Sequence, residues 1–432
     1  MFATLRHRDF ERLWLAGLVS VTGDFALIVA LPLHIYRLTD STLATAGVLA
    51  ASFLPGVLIG SVAGVFVDRW DRKRTMVVAD VTRAVLLLPL LVAPDRLELL
   101  YAVAAAEGTI GLFFTPAKGA LLPTLVGEER LVAANALNAL NSNLGMLIGP
   151  ALGALLYAEI GIGGVAIVDA VSYVGSALLI RLIAAHARPV RAAEVDVDGS
   201  PLARMVSDWR DGLRVVRRNR ALTVLFVGSA LAGISEGVFL TLGLTPLVLD
   251  VLGGTPAQVG WLGTSQAVGG LIAGVVVARF GHRLAKRWLL SSGFVGVGLA
   301  DFGSFNSRHL AGPGTPAVAV SMGFNFLAGF PAVAGGAGRQ ALVQTQAADA
   351  YRGRVFGALG AAQGIAMLIG FGIGGVLGDA VGIVPVLSAS ASTRVLGGFI
   401  ALVMLPREMR GPGDADGAGV RELAATTAGK VD

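Results

Sequence analysis

Eight ionisable side chains stand inside stretches that are otherwise apolar: Asp24, Asp80, Arg83, Glu107, Asp169, Glu236, Asp301 and Arg394. Where such stretches cross a bilayer, a charge is costly and marks an ion pathway or a relay. Low dielectric disfavours the charged form of any carboxyl. Such a group can bind a proton on the acidic side of a membrane and release it on the other. Asp24, Glu107 and Glu236 are the candidates for that work. The alternative for each is a hydrogen-bonded structural carboxyl between helices. Asp24 and Glu107 lie deepest; Asp80 and Arg83, three positions apart, are expected to pair with each other on one helix. Asp301 is read as the mark of a helix end.

A second concentration of chemistry is the string Gly64-Val-Phe-Val-Asp68-Arg69-Trp70-Asp71-Arg72-Lys73. Gly64 permits close packing at the end of a helix. Asp68 is an anion suited to the positive N-terminal end of another helix. Arg69, Arg72 and Lys73 sit where lipid headgroups and acidic partners are available. The cluster is expected either to gate two bundles or to serve as a set of basic anchors. A third string, Gly145-xxx-Gly149-Pro150-xx-Gly153, makes a flat small-residue helix face with a proline bend. Enzyme chemistry is absent. The run Gly370 to Gly375 has no strand before it, no GxxxxGK[ST] occurs, and the five histidines lack ligand spacing. With no cysteine either, neither a metal site nor a cofactor is expected.

The elements that carry these residues must be membrane helices. Hydrophobic residues make up 54% of the chain and charged ones 15%, against roughly 25% charge in soluble domains, and the mean hydropathy is +0.73. Lipid tails, not water, must cover most of the surface. A bilayer core takes about 20 apolar residues per helix. Such runs occur at 12–36, 43–67, 75–94, 98–120, 136–158, 162–184, 221–248, 257–278, 286–305, 315–338, 355–380 and 383–405. With both termini in the cytoplasm, 29 Lys and Arg fall on the cytoplasmic side and three (Arg37, Arg96, Arg308) on the other. That is the positive-inside signal, and it explains the basic pI without nucleic acid. The first run, without a small-residue cleavage site, is read as a retained helix rather than a signal peptide.

The longest polar stretch falls after six helices and before six more. It begins with an acidic patch and continues, from Ser200-Pro201, as an amphipathic helix: Leu202, Trp209, Leu213 and Val216 face one way, Arg210, Arg214 and Arg217 the other. The expected organisation is a bundle over 1–187, a linker over 188–220, a second bundle over 221–410 and a disordered tail over 411–432. The halves repeat. At an offset of 221, Met146-Leu-Ile-Gly149-Pro150-Ala-Leu-Gly153 answers Met367-Leu-Ile-Gly370-Phe371-Gly-Ile-Gly374, and the string at Gly64 has a counterpart at Gly274.

GxxxDRxxRK between helices 2 and 3 resembles the signature of the major facilitator superfamily. GxxxGPxxG in helix 5 resembles an element of its antiporters. Arg8-Asp9-Phe10, Gly23-Asp24, Pro116-Ala117, Leu122-Pro123 and Tyr351-Arg352-Gly353-Arg354 look like its drug-efflux branch, with macrolide-efflux and enterobactin-exporter-like members. The resemblance runs from about residue 5 to 405. It implies an all-α polytopic protein, twelve transmembrane helices in two pseudo-symmetric six-helix bundles. It further implies a monomeric secondary transporter of a bacterial inner membrane, exporting an amphiphilic small molecule such as a drug or siderophore against protons. An importer of the same fold and a non-transporting receptor are the alternatives. Three departures stand out: Ala278 replaces the acid of the second loop copy, Phe371 replaces the proline, and helix 4 carries Glu107 where proton-coupled members often have arginine.

Overall fold

The computed structural model describes residues 2–67, 69–185 and 201–405. Twelve spans are present, and their positions follow the apolar runs. We number them α1 (Arg8–Thr39), α2 (Thr42–Val67), α3 (Arg72–Leu87, continued by Pro89–Val92), α4 (Leu97–Val126), α5 (131–160), α6 (162–181), α7 (Arg220–Val238), α8 (Pro256–Phe280), α9 (Lys286–Phe305), α10 (Thr315–Gln346), α11 (Arg352–Val381) and α12 (Ile383–Met404). Spans α5 and α6 form one unbroken run, Leu131–Arg181, of 51 residues. At about 1.5 Å per residue it would be far longer than a bilayer is thick. Gly161 divides it: its φ of +68° is open to glycine and reverses the chain without a loop. Gly382, φ +105°, does the same between α11 and α12.

The spans form two six-helix bundles. Within the first, α1 lies on the α5–α6 hairpin, α2 on α4, and α3 on both α4 and α6. Within the second, α7 lies on α11 and α12, and α10 on α8 and α9. Two seams join the bundles, α5 against α8 and α2 against α11. Helices α4 and α10 run to Val126 and Gln346, past the expected ends at 120 and 338, so Arg339 sits inside a helix rather than in a loop. Span α7 continues as π-helix over Phe239–Gly243 and again over Leu247–Val251.

Small residues set the distances. A methyl on Gly149 or Gly153 would collide with the backbone of Thr22 and Ala26 on α1. Their counterparts at the 221-residue offset, Gly370 and Gly374, face α7 in the same way, at Ile234 and Thr241. The position between the glycines points across the seam in both bundles. Beside Pro150, Gly260 of α8 meets the Pro150 carbonyl, and Thr264 Oγ1 donates to Leu147 O at 3.0 Å. Phe371 stacks obliquely on Phe53 of α2, ring centroids 5.7 Å apart.

The linker helix (Pro201–Arg218) is helical as expected, but it does more than rest on a surface. Gly212 meets the Arg354 carbonyl at the start of α11, and Val216 is buried among Leu222, Leu225 and Val355. The acidic patch before it and the tail at 411–432 lie outside the described residues.

The glycine contacts give the first test. Gly153→Ala should lower the midpoint of thermal unfolding in detergent, because overpacking costs about 1–3 kcal/mol. Gly175→Ala, with open space at its Cα, should match or exceed the native midpoint. Equal midpoints for the two variants would contradict this account of the α1–α5 contact.

Candidate functional site

Among the described residues each bundle buries one arginine, and each arginine is held by two carboxylates from other helices. In the first bundle Arg83 of α3 donates through Nε to Glu107 Oε2 of α4 at 2.7 Å and through Nη2 to Asp24 Oδ1 of α1 at 2.8 Å. Its guanidinium lies 4.2 Å from the ring centroid of Tyr173 of α6. The Tyr173 hydroxyl stands 2.5 Å from Asp24 Oδ1 and 3.1 Å from Glu107 Oε2. Its one proton can serve either. Four helices therefore converge on one cation.

The second bundle repeats the arrangement with other hands. Arg394 of α12 donates to Glu236 Oε2 of α7 at 2.8 Å and to Asp301 Oδ2 of α9 at 3.1 Å. Asp24 and Glu236 occupy matching places, each sixteen positions past the first residue of its helix, Arg8 or Arg220. The arginines do not match. Arg83 comes from the third helix of its bundle and Arg394 from the sixth, where the first bundle has Tyr173 at the same 221-residue offset. The charge centre is kept and its donor helix exchanged.

These contacts correct two expectations. Asp80 and Arg83 do not pair: Arg83 spends its donors on Asp24 and Glu107. Asp80 is fully buried and faces Ser176 of α6. Asp301 is no helix-end marker either, being buried and bound to Arg394. Asp24 and Glu107, taken together as deepest, differ: the Asp24 side chain is 35% exposed, towards a cavity, and that of Glu107 is 8% exposed. Asp169 of α6 is also buried. It accepts from Ser172 Oγ at 3.1 Å and presses on α1 at Gly23, which has no side chain to obstruct it.

Two cavities flank the arginines. One, of about 240 Å³, is lined by Asp24, Arg83, Glu107 and Tyr173 with Pro32 and Phe53 among its apolar walls. The other, of about 200 Å³, is lined by Glu236 and Arg394 with Gln266, Pro331, Arg339 and Gln363. Each has a carboxylate of the first helix of its bundle at its wall. No group of side chains suited to a metal ion occurs among the described residues.

The Major Facilitator Superfamily model matches residues 13–253 and 225–428. The chain belongs to this superfamily. It is a multi-pass membrane transporter of small molecules, not an enzyme. It is 26% identical over 396 residues to the MFS-type transporter YfiS of Bacillus subtilis, covering 89% of this chain and 90% of that one. It is 25% identical over 383 residues to macrolide efflux protein A of Streptococcus pyogenes, covering 87% and 90%. Among solved structures the nucleoside transporter NupG superposes with a TM-score of 0.75 at 12% identity, over 93% of this chain and all of that one. A bacterial homologue of the iron transporter ferroportin, in an inward-facing state, gives 0.67 at 18% identity over 92% and 98%. These likenesses are of fold.

In this superfamily member the loop after α2 has two of its basic residues engaged at home. Arg72 Nη1 donates to Ala120 O of α4 at 2.8 Å, and Lys73 Nζ to Ile183 O, just past α6, at 2.5 Å. Both bonds tie the loop to backbone carbonyls of its own bundle. Asp71 caps α3 through Arg74 N at 2.8 Å. Arg69 is exposed; Asp68 lies outside the described residues, and of Gly64 only its place in α2 is described. Sequence reasoning missed Tyr173. A tyrosine in an apolar helix carries no charge to notice, and its one signal was the offset that pairs it with Arg394.

Removing a partner from a buried ion pair costs about 3–5 kcal/mol, because the remaining charge is stranded. Arg83→Met should accordingly lower the unfolding midpoint steeply. Arg83→Met combined with Asp24→Asn and Glu107→Gln should recover most of the loss. A triple variant no more stable than the single one would contradict the charge balance described here.

Proposed function

We propose that this protein is a proton-coupled antiporter that exports amphiphilic small molecules of the macrolide type. The observation that carries the proposal is the pair of buried arginine–carboxylate centres, one per bundle, each with an acid at a cavity wall. Around Arg83 stand four carboxyls, Asp24, Glu107, Asp80 and Asp169. One guanidinium cannot balance four carboxylates in a low-dielectric interior, and such an excess of acid is what a proton-coupled exchanger requires. Asp24 and Glu107 both line the cavity, and Asp24 is the more exposed of the two. A cationic substrate there competes with Arg83 and with a proton for the same carboxylate, which is the elementary requirement for exchange. Tyr173, able to donate to Asp24 or to Glu107, lets the charge pass between them.

Alternating access by rocking of the two bundles is the family's means of moving a midplane site from one face to the other. The chain is read as a monomer in a bacterial inner membrane with both termini in the cytoplasm, an orientation supported by the asymmetry of Lys and Arg. On that orientation, Tyr36 of α1 binds Asp250, and α2 meets the end of α11, on the outer side. The conformation described is then the one with its outer side shut. The basic string 69–73 gates the opposite, inner side, while Gly145, Gly149, Pro150 and Gly153 provide the surface on which α5 bears against both α1 and α8. Export of macrolide-like compounds is supported by the similarity to macrolide efflux protein A and by the apolar walls of the cavities.

Inverted membrane vesicles, whose interior can be made acidic, test the reading. Uptake of ethidium and of erythromycin should be driven by the pH gradient and abolished by an uncoupler. Asp24→Asn should abolish the gradient-driven uptake while the protein remains folded in the membrane. Uptake indifferent to the uncoupler would overturn proton coupling, and gradient-driven uptake retained by Asp24→Asn would move the coupling acid to Glu107 or Glu236.

A further inference from the structure

A carboxylate of the second bundle sits on the end of a helix in the first. Asp379, in the last turn of α11, accepts from the Thr42 backbone N–H at 3.0 Å, from Thr42 Oγ1 at 2.8 Å and, through its other oxygen, from Ser41 Oγ at 3.1 Å. Thr42 is the first residue of α2. The first amide groups of a helix have no partner within the helix, and a carboxylate there satisfies them and meets the positive end of the helix dipole. Ordinarily the capping residue precedes its own helix by one position. Here Ser41 does so, its Oγ accepting from the Ala44 N–H at 3.3 Å, and Asp379 adds a second cap from 337 residues away and from the other bundle.

The approach is prepared by small residues. Gly375 faces Leu43 and Ala46, and Gly378 faces Thr42; a side chain at either would push α2 off α11. The Gly375 carbonyl stands 2.8 Å from Thr42 Oγ1, an alternative acceptor for the same hydroxyl. The bond between Tyr36 and Asp250 joins the bundles at the same end.

We propose that Asp379 is a gating residue for transport, locking this end of the protein shut by capping α2 across the seam. The contact cannot survive separation of the bundles here, because its two sides belong to different bundles. It complements the string at the other end of the same helix pair. That end of α2 leads into Asp68, an acid suited to the N-terminal end of another helix, and α2 and α11 run antiparallel. In the state described, the start of α11 is instead occupied by the linker helix, through Gly212 at the Arg354 carbonyl and Asp211 4.0 Å from Arg354 Nη1. One helix pair thus has an acid in the chain near each end, and the one at this end, Asp379, is engaged in the state described. Asp379 is on the surface and outside both arginine centres, so its replacement leaves the packed interior unchanged.

Spin-label distances in the purified full chain test this without substrate or gradient. Failure of proton-driven uptake would therefore leave the proposal standing, and the reverse also holds. The chain has no cysteine, so labels go only where cysteines are introduced. Leu38 and Leu310 would report the Asp379 end, and Val132 and Leu284 the other; all four are exposed. In Asp379→Ala the population with the first pair farther apart and the second closer should rise by roughly 2- to 30-fold, the equilibrium equivalent of losing a helix cap. Asp379→Asn, which keeps a capping oxygen, should stay within about threefold of the native chain, since asparagine and aspartate cap about equally well. Distributions unchanged in Asp379→Ala would overturn the proposal. So would broadening of both pairs together, which reports loosening rather than opening, or an Asn variant that opens as far as the Ala variant.

Discussion

A guanidinium in the middle of a helix bundle has to be neutralised where it stands, since neither water nor lipid will do it. That constraint organises both halves of this protein. Arg83 fixes how α1, α3, α4 and α6 meet, and Arg394 does the same for α7, α9 and α12. The carboxylates cannot move far without stranding the arginine. They can, however, trade protons and partners without moving far at all. An exchanger needs that property: a site rigid in geometry and adjustable in charge.

The glycines supply a different constraint, of distance. Where α1 meets α5 and α7 meets α11, backbones touch with no side chain between them, so these contacts hold as units. The neighbouring residues that cross the seams, Pro150 and Phe371, are bulky and apolar and make few directional bonds. Close glycine contacts also cross the seams, Gly260 at the Pro150 carbonyl and Gly375 and Gly378 at the start of α2. The hydrogen bonds at Thr42 and Tyr36 are of another kind, placed at the rim where they can break into water.

Most of the architecture could be read from residue types. Twenty-residue apolar runs locate the spans because lipid allows no alternative, and the offset of 221 exposes the repeat because both copies solve the same close-packing problem. Gly382 and Gly161 are ordinary glycines in sequence; only their positive φ reveals them as reversals. The acids inside the spans were visible for the same reason, since nothing else in an apolar run is charged. Their pairing was not. Local spacing favours Asp80 with Arg83, three apart on one helix, whereas the real partners are 24 and 59 positions distant. Such partners are chosen by which helices lie side by side, and no periodicity within one helix encodes that. Asp379 was equally hidden: a surface acid at a helix end is commonplace until its neighbour from the other bundle is known.

The π-helical stretches that follow Glu236 distinguish the second bundle from the first. An α-helix resists being twisted, because every carbonyl is committed four residues ahead. A π-helical turn carries one surplus residue and can hand it along the helix at little cost in hydrogen bonds. Just beyond Glu236, α7 changes to π-helix, where α1, its counterpart, stays α-helical and carries its interior Pro32 instead. The two bundles are alike in outline but differ in how their first helices are wound beyond the acid: one keeps the α-helical ladder, and the other lets a surplus residue into it.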